Sequence, residues 1–419
     1  MQHTLKNRVR EDFIAKYSYI LQKSSGDKVE VATVVRNILE GILSQPRGSL
    51  KDQDRTNIIN ELVDEFSGFG PIERLMMDPD ITEIMINGTQ NVYIEKQGKK
   101  QLTDIKFDSD QQLMYIIQKI LAPTRRRVDE VVPYTDVCLP DGSRVNIIIP
   151  PLALDGPTIT IRKFLKKIVK AEHLIELGTL DRRMADFLIA CIKGKINIIF
   201  AGATGSGKTT TVGVFSSYID NDERTITIED TAELHLAQDH VVRLETKPSN
   251  IEGKGEITIR DIFRNTLRMR PQRIILGEIR SAEALDMLQA MCSGHNGALS
   301  VIHANTPQEV LYRLETMILM SGVPITLEAI HRQIAESLHL IIQQDQLADG
   351  TRKITRITQV HGLKNGWVNL EDIFFYEISN VVEGGKVYGR FKATGIEPAF
   401  YPLFVKRGVN LPKEIFKKD

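Results

Sequence analysis

Asn197-Ile-Ile-Phe-Ala-Gly202-Ala-Thr-Gly-Ser-Gly-Lys208-Thr209 runs from an apolar stretch into a glycine-rich turn, and a helical pattern from Thr209 to Tyr218 follows. Gly202–Thr209 has the form G-x-x-x-x-G-K-[ST], in which glycines let backbone N–H groups close around phosphates. The start of the following helix adds a partial positive charge. Gly202, Ala203, Thr204, Gly205, Ser206, Gly207, Lys208, Thr209 and Thr210 are therefore the expected nucleotide-binding residues. In this motif Lys208 reaches the β- and γ-phosphates and the Thr209 hydroxyl holds Mg²⁺.

Working outward, the apolar run ending at Gly202 is one of four at related spacing: Ile196–Phe200, Thr225–Glu229, Arg273–Gly277 and Leu299–His303. Alternation of such runs with helical stretches predicts a parallel sheet with crossover helices. Leu338–Gln344 and Lys353–Val360, joined across Asp349-Gly350, read as an antiparallel hairpin added to it. This α/β unit takes residues 181–419. Residues 165–180 read as a linker, opening with the basic stretch Arg162, Lys163, Lys166, Lys167 and Lys170.

Upstream, residues 67–164 read as a smaller α/β domain. Ile81–Ile86 and Asn91–Glu95 alternate like strands, Leu113–Leu121 is helical, and Asp141-Gly142 turns a hairpin between Val137–Leu139 and Arg144–Ile149. Residues 1–66 read as an N-terminal helical bundle. Val31, Val34, Val35, Ile38, Leu39 and Ile42 share one helical face, and Gln45-Pro-Arg-Gly48 ends that helix.

Composition narrows the function classes. At 419 residues the chain is long enough for two domains with appendages. Lys+Arg and Asp+Glu number 54 each, so the chain lacks the global positive field common in nucleic-acid binders, and no nucleic-acid partner is expected. Cys138, Cys191 and Cys292 are widely spaced and lack C-x-x-C, as in a reducing compartment. No run approaches the roughly twenty apolar residues of a spanning helix. The expectation is a cytoplasmic protein that meets membranes only through partners.

Phosphoryl transfer to water needs a metal, a placed water and positive charge at the γ-phosphate. Ile228-Glu229-Asp230-Thr-Ala-Glu233 puts three carboxylates just past a strand, where ligands sit in parallel sheets. Arg273-Ile-Ile-Leu-Gly277-Glu278 brings a fourth to the same edge, with Gly277 where many such enzymes carry aspartate. His295 and His303 flank the fourth strand and are both expected at this edge, as structural residues or γ-phosphate sensors, with no zinc-like spacing around them. Arg144 and Arg162 fall on neighbouring strands of the smaller domain. Arg264, Arg268, Arg270, Arg273 and Arg280 are expected to crowd around the Glu278 strand, near the acids.

Together these boxes resemble the secretion-superfamily ATPases of type II secretion, type IV pili and type IV secretion. Their order is the same: Walker A (Gly202–Thr209), Asp box (Ile228–Glu233), an atypical Walker B (Ile274–Glu278) and His box (Gly294–His303). Leu244–Glu256, Thr258–Asp261, Arg268–Pro271, Phe69–Ile72, Leu139–Asn146, Pro150–Gly156 and Gly395–Pro398 are similar to the CpaF/TadA branch, the motors of the Tad (Flp) pilus. Met291-Cys-Ser293 departs from that branch's usual pattern. The resemblance implies a RecA-like P-loop core, mainly parallel with an added antiparallel hairpin, behind a smaller α/β domain and the helical bundle. It implies ATP and Mg²⁺ as ligands, Glu233 as the base (Glu229 the second candidate), and Glu278 ordering Mg²⁺ through water. It further implies Arg144 and Arg162 closing on the γ-phosphate, and His303 beside it. The partners would be five further copies in a homohexamer and inner-membrane pilus platform proteins. A type IV or type II secretion ATPase is the nearest alternative; a nucleic-acid translocase and a non-hydrolysing nucleotide-gated scaffold are more distant ones.

Overall fold

The computed structural model describes residues 2–23, 28–44, 52–96, 98–124, 126–164, 170–247, 249, 254–381 and 385–419. The chain divides into two compact units, Met1–Leu165 and Lys166–Asp419. The break expected at Gln45–Gly48, the basic residues Lys166 and Lys167, and much of 248–253 lie outside the described residues.

In the first unit, helices Gln2–Lys23, Lys28–Ser44 and Asp52–Ser67 bury Val9, Phe13, Val35, Leu39, Leu62 and Phe66 together. Phe13 stacks on Phe66 with ring centroids 4.2 Å apart. The same helices are bolted to the helix Asp110–Leu121 by polar contacts. Glu65, 2% exposed, takes a two-pronged ion pair from Arg10 (2.7 and 2.8 Å) and a hydrogen bond from Gln112 (2.6 Å). Lys119 donates to the carbonyls of Glu65, Phe66 and Gly68, closing the C-terminus of Asp52–Ser67 as cations do at helix ends. Arg10→Ala would leave the Glu65 carboxylate buried without its cation. The expected cost is about 3–5 kcal/mol, read as an earlier urea transition of this unit in the full chain. The double variant R10M/E65M should cost less than the single one, because no charge is then stranded.

That helix packs on a six-stranded antiparallel sheet of β1 (Ile81–Asn87), β2 (Asn91–Lys96), β3 (Lys99–Leu102), β4 (Tyr134–Cys138), β5 (Arg144–Ile148) and β6 (Thr158–Arg162). Its order is β3-β2-β1-β6-β5-β4. The β4–β5 hairpin turns at Asp141-Gly142.

The second unit holds a nine-stranded sheet: β7 (Ile198–Ala201), β8 (Thr225–Glu229), β9 (Val241–Glu245), β10 (Arg273–Leu276), β11 (Leu299–Ile302), β12 (Leu340–Gln346), β13 (Arg352–Lys364), β14 (Trp367–Val381) and β15 (Val387–Ala393). The order is β15-β14-β13-β12-β7-β11-β10-β8-β9, parallel from β12 to β9 and antiparallel from β12 to β15. The expected hairpin is thus β12–β13, but β12 also joins the parallel core, and two further antiparallel strands extend it. Successive side chains of a strand point to opposite faces. Ile198 and Phe200 accordingly join the core under helices Arg182–Lys193 and Lys208–Ser216, while Ile199 and Ala201 join the core under Glu283–Cys292, Pro307–Leu319 and Leu327–Ser337. Both faces being covered explains why these strands read as continuous apolar runs.

Arg273 stands on the Glu278 strand as expected, but away from the acids of the sheet edge, which corrects that part of the expectation. It begins β10, at the end of the strand away from Glu278, and is 1% exposed. Its guanidinium donates to Glu223 (2.8 and 3.1 Å) and to the Ile192 carbonyl (2.7 Å), with Lys195 on the same carboxylate. It is a buried clamp at the foot of the sheet.

Candidate nucleotide site

The phosphate-loop sequence joins β7 to the nine-residue helix Lys208–Ser216, which starts one residue earlier than its apolar pattern predicts. Gly207 caps that helix at φ 96, a left-handed conformation that side-chain-bearing residues pay to adopt. A Cβ at Gly202 would lie 2.1 Å from the Gln344 carbonyl oxygen, so the loop's close seat on β12 requires glycine there. From below, Arg352 Nε donates to the Gly205 carbonyl (2.8 Å) and Thr211 donates to the Gln344 side chain (2.7 Å). Neither Arg352 nor Gln344 is marked by any local motif; the pairing of β12 with β7 brings Gln344 here, and that of β13 with β12 brings Arg352.

The ends of β7, β11, β10 and β8 lie side by side, and their side chains form one chain of contacts in that spatial order. Lys208, 5% exposed, donates to the Ala203 carbonyl (2.7 Å) and sits 3.4 Å from His303 Nδ1. His303 Nε2 is 3.2 Å from Glu278 Oε1. Arg280 bridges Glu278 Oε2 (2.6 Å) and Asp230 Oδ2 (3.0 Å). Burial, helped by the Lys208 charge, lowers the His303 pKa from its ordinary value, although Glu278 opposes the shift. An ammonium can only donate, so Nδ1 accepts from Lys208 and the ring proton on Nε2 faces Glu278. The Glu278 partnership raises the Arg280 pKa.

The carboxylates do not converge as four equivalent acids. Glu278 and Asp230 share Arg280, Glu233 is half-buried in the loop after β8, and Glu229 is 3% exposed. Glu229 faces inward, accepting from the N–H groups of Glu233 (3.0 Å) and Leu234 (3.1 Å). Of the arginines expected around the Glu278 strand, Arg280 is the one that reaches Glu278 among the described residues. Arg264 pairs with Asp286, and Arg268 and Arg270 are exposed. His295 is a second correction. It precedes β11, hydrogen-bonding Ser293 at 3.4 Å, so the length of the strand separates it from the edge that carries His303. In the first unit, Arg144 and Arg162 stand opposite each other across β5 and β6.

This donor set fits a nucleoside triphosphate and a hard cation. A buried ammonium and the first turn of a helix face the loop. The Ser206 hydroxyl beneath it is buried without a hydrogen-bond partner among the described residues. No cluster of three or more His, Cys, Asp or Glu able to hold a metal occurs among the described residues. Mg²⁺ needs none, since it is usually held by one or two protein oxygens plus phosphates, as Thr209 and Glu278 would supply.

Comparison with known proteins gives the family. The family described as "Type II/IV secretion system protein" matches residues 65–365. The putative conjugal transfer protein of Mycobacterium tuberculosis is 29% identical over 299 residues, covering 70% of this chain and 84% of that one. Protein VirB11 of Agrobacterium fabrum is 31% identical over 289 residues, covering 62% and 82%. The crystal structure of the pilus retraction motor PilT with bound ADP shares the mixed α/β fold at a TM-score of 0.51 and 17% identity, over 70% of this chain and 83% of that one.

Proposed function

We propose that this chain, which belongs to the type II/IV secretion system protein family, is the motor ATPase of a Tad-type (Flp, type IVc) pilus. The family supports an ATPase acting in secretion or pilus assembly. One observation carries the site: the contact chain Lys208–His303–Glu278–Arg280–Asp230, which ties the ends of four adjacent parallel strands to the phosphate loop. The long similar stretches, Leu244–Glu256 and Pro150–Gly156 among them, support the Tad reading over its neighbours.

In this reading ATP is the substrate. Lys208 and the loop N–H groups hold its β- and γ-phosphates. Thr209, with Glu278 through water, would hold Mg²⁺, which offsets the charge of the phosphates. Glu233 takes the proton of the attacking water as the bond from the γ-phosphorus to the bridging oxygen breaks and ADP leaves. His303, touching both Lys208 and Glu278, registers whether a γ-phosphate is present. Arg144 and Arg162 add positive charge to that phosphate, and losing this contact after hydrolysis lets the first unit move. Six copies in a ring would pass that motion to an inner-membrane platform from the cytoplasmic face. No helix among the described residues is long and apolar enough to cross a membrane.

The conjugal-transfer and VirB11 relatives favour a second reading, a type IV secretion ATPase. Deleting the gene separates them. Loss of surface pili with export and conjugation intact supports the pilus motor, and the reverse outcome overturns it. In the purified protein, Lys208→Ala should weaken ATP binding at least tenfold, and added DNA should leave wild-type turnover unchanged. Stimulation by DNA would point to a translocase instead.

A further inference from the structure

Glu229 and Gly277 fit together in a way the nucleotide reading does not use. Glu229 ends β8 and Gly277 follows β10, the strand beside it. A Cβ at Gly277 would lie 2.8 Å from Glu229 Cγ and 3.3 Å from its Cβ. The glycine is therefore where it is because the Glu229 side chain fills the space in front of it. Its carboxylate reaches forward into the loop that carries Glu233. Oε1 accepts from the Glu233 N–H (3.0 Å) and the Leu234 N–H (3.1 Å), and Oε2 from the Leu234 N–H at 3.3 Å. Leu234, 3% exposed, is itself packed into the core beneath.

We propose that Glu229 is a positioning residue: from the space left by Gly277 it holds the backbone at Glu233 and Leu234, and so fixes where the Glu233 carboxylate stands. The proposal rests on the ATPase reading above, with Glu233 as the base. Burial pushes the Glu229 carboxyl up to about 7, against the pull of the two N–H bonds, and a group near 7 is well matched for proton abstraction. Geometry decides against that role. Both oxygens are committed to backbone donors and the side chain is 3% exposed, whereas a base must reach its water. Oε1 alone accepts from both N–H groups and needs no charge to do so, so the single oxygen of an amide serves as well.

The test compares E229A and E229Q in the full chain, measuring turnover, ATP affinity and hydrogen exchange at the Glu233 and Leu234 amides. E229A should slow turnover at least tenfold, leave ATP affinity within about threefold, and speed exchange at both amides. E229Q should restore most of the turnover and the protection. An E229Q protein as slow as E229A with its amides still protected would make Glu229 the base and overturn the proposal. So would an E229A protein with unchanged turnover and exchange. Should E229A not fold, Gly277→Ala displaces the same side chain and should produce the same loss of protection. Where E229A folds, the double variant G277A/E229A should be no slower than E229A alone, since both changes act on one contact. If Glu233 proves not to be the base, turnover of E233Q will show it while the exchange data still report what Glu229 holds.

Discussion

Glu233→Gln is expected to lower ATP turnover by about 10²–10⁴-fold, the range lost when a positioned general base is removed. ATP affinity should stay within a few-fold of the wild type. The split follows from where the side chain stands. Glu233 lies past the end of β8, outside the phosphate loop, and Glu229 holds its backbone N–H. Its replacement leaves Lys208, His303, Glu278 and Arg280 with their contacts to one another. Phosphate release would give turnover, and titration with a fluorescent ATP analogue would give affinity. Undiminished turnover would remove Glu233 from the chemistry. A parallel loss of affinity would make it a binding residue instead.

Much of this site was legible because its parts are local. A glycine-rich turn between an apolar run and a helix declares itself over eight residues, and the acids after β8 and β10 sit next to strands that read clearly. The sheet order was not legible, since the β7-β11-β10-β8 sequence of neighbours arises from crossovers that leave no local trace. Strand direction, by contrast, separates Arg280, which follows and reaches Glu278, from Arg273, which begins the same strand among Glu223 and Lys195. His295 and His303 part in the same way: a four-residue strand carries one to the site and leaves the other behind. Strand β9, Val-Val-Arg-Leu-Glu, lacks clean alternation and pairs only at the sheet edge, so periodicity passed over it. Gly277 looked like a missing aspartate. Its explanation is a neighbour on another strand, which a linear pattern does not contain.

Arg144→Ala is expected to lower turnover of the assembled protein by about 10³-fold, the scale at which an arginine acts on a transferring phosphate. The same change should keep the first unit folded to within about 1 kcal/mol, because Arg144 is only half-buried. Arg144 and Arg162 are opposite partners across β5 and β6, and antiparallel partners share a face of the sheet. On the far side of Arg162, Glu83 occupies the matching position of β1. One acid thus stands in register with Arg162, and Arg144 faces Cys138 on its other side. The discriminating result is a pair of measurements on one variant. Turnover that collapses while the urea transition of the first unit stays in place means the arginine serves the γ-phosphate. Undiminished turnover in the assembled ring would refute that role, and a collapse of both would return Arg144 to the fold. Arg162→Ala should show the same division, and its partner Glu83 supplies the control. Glu83→Gln changes the acid in register with Arg162 and leaves both arginines in place, so turnover should persist.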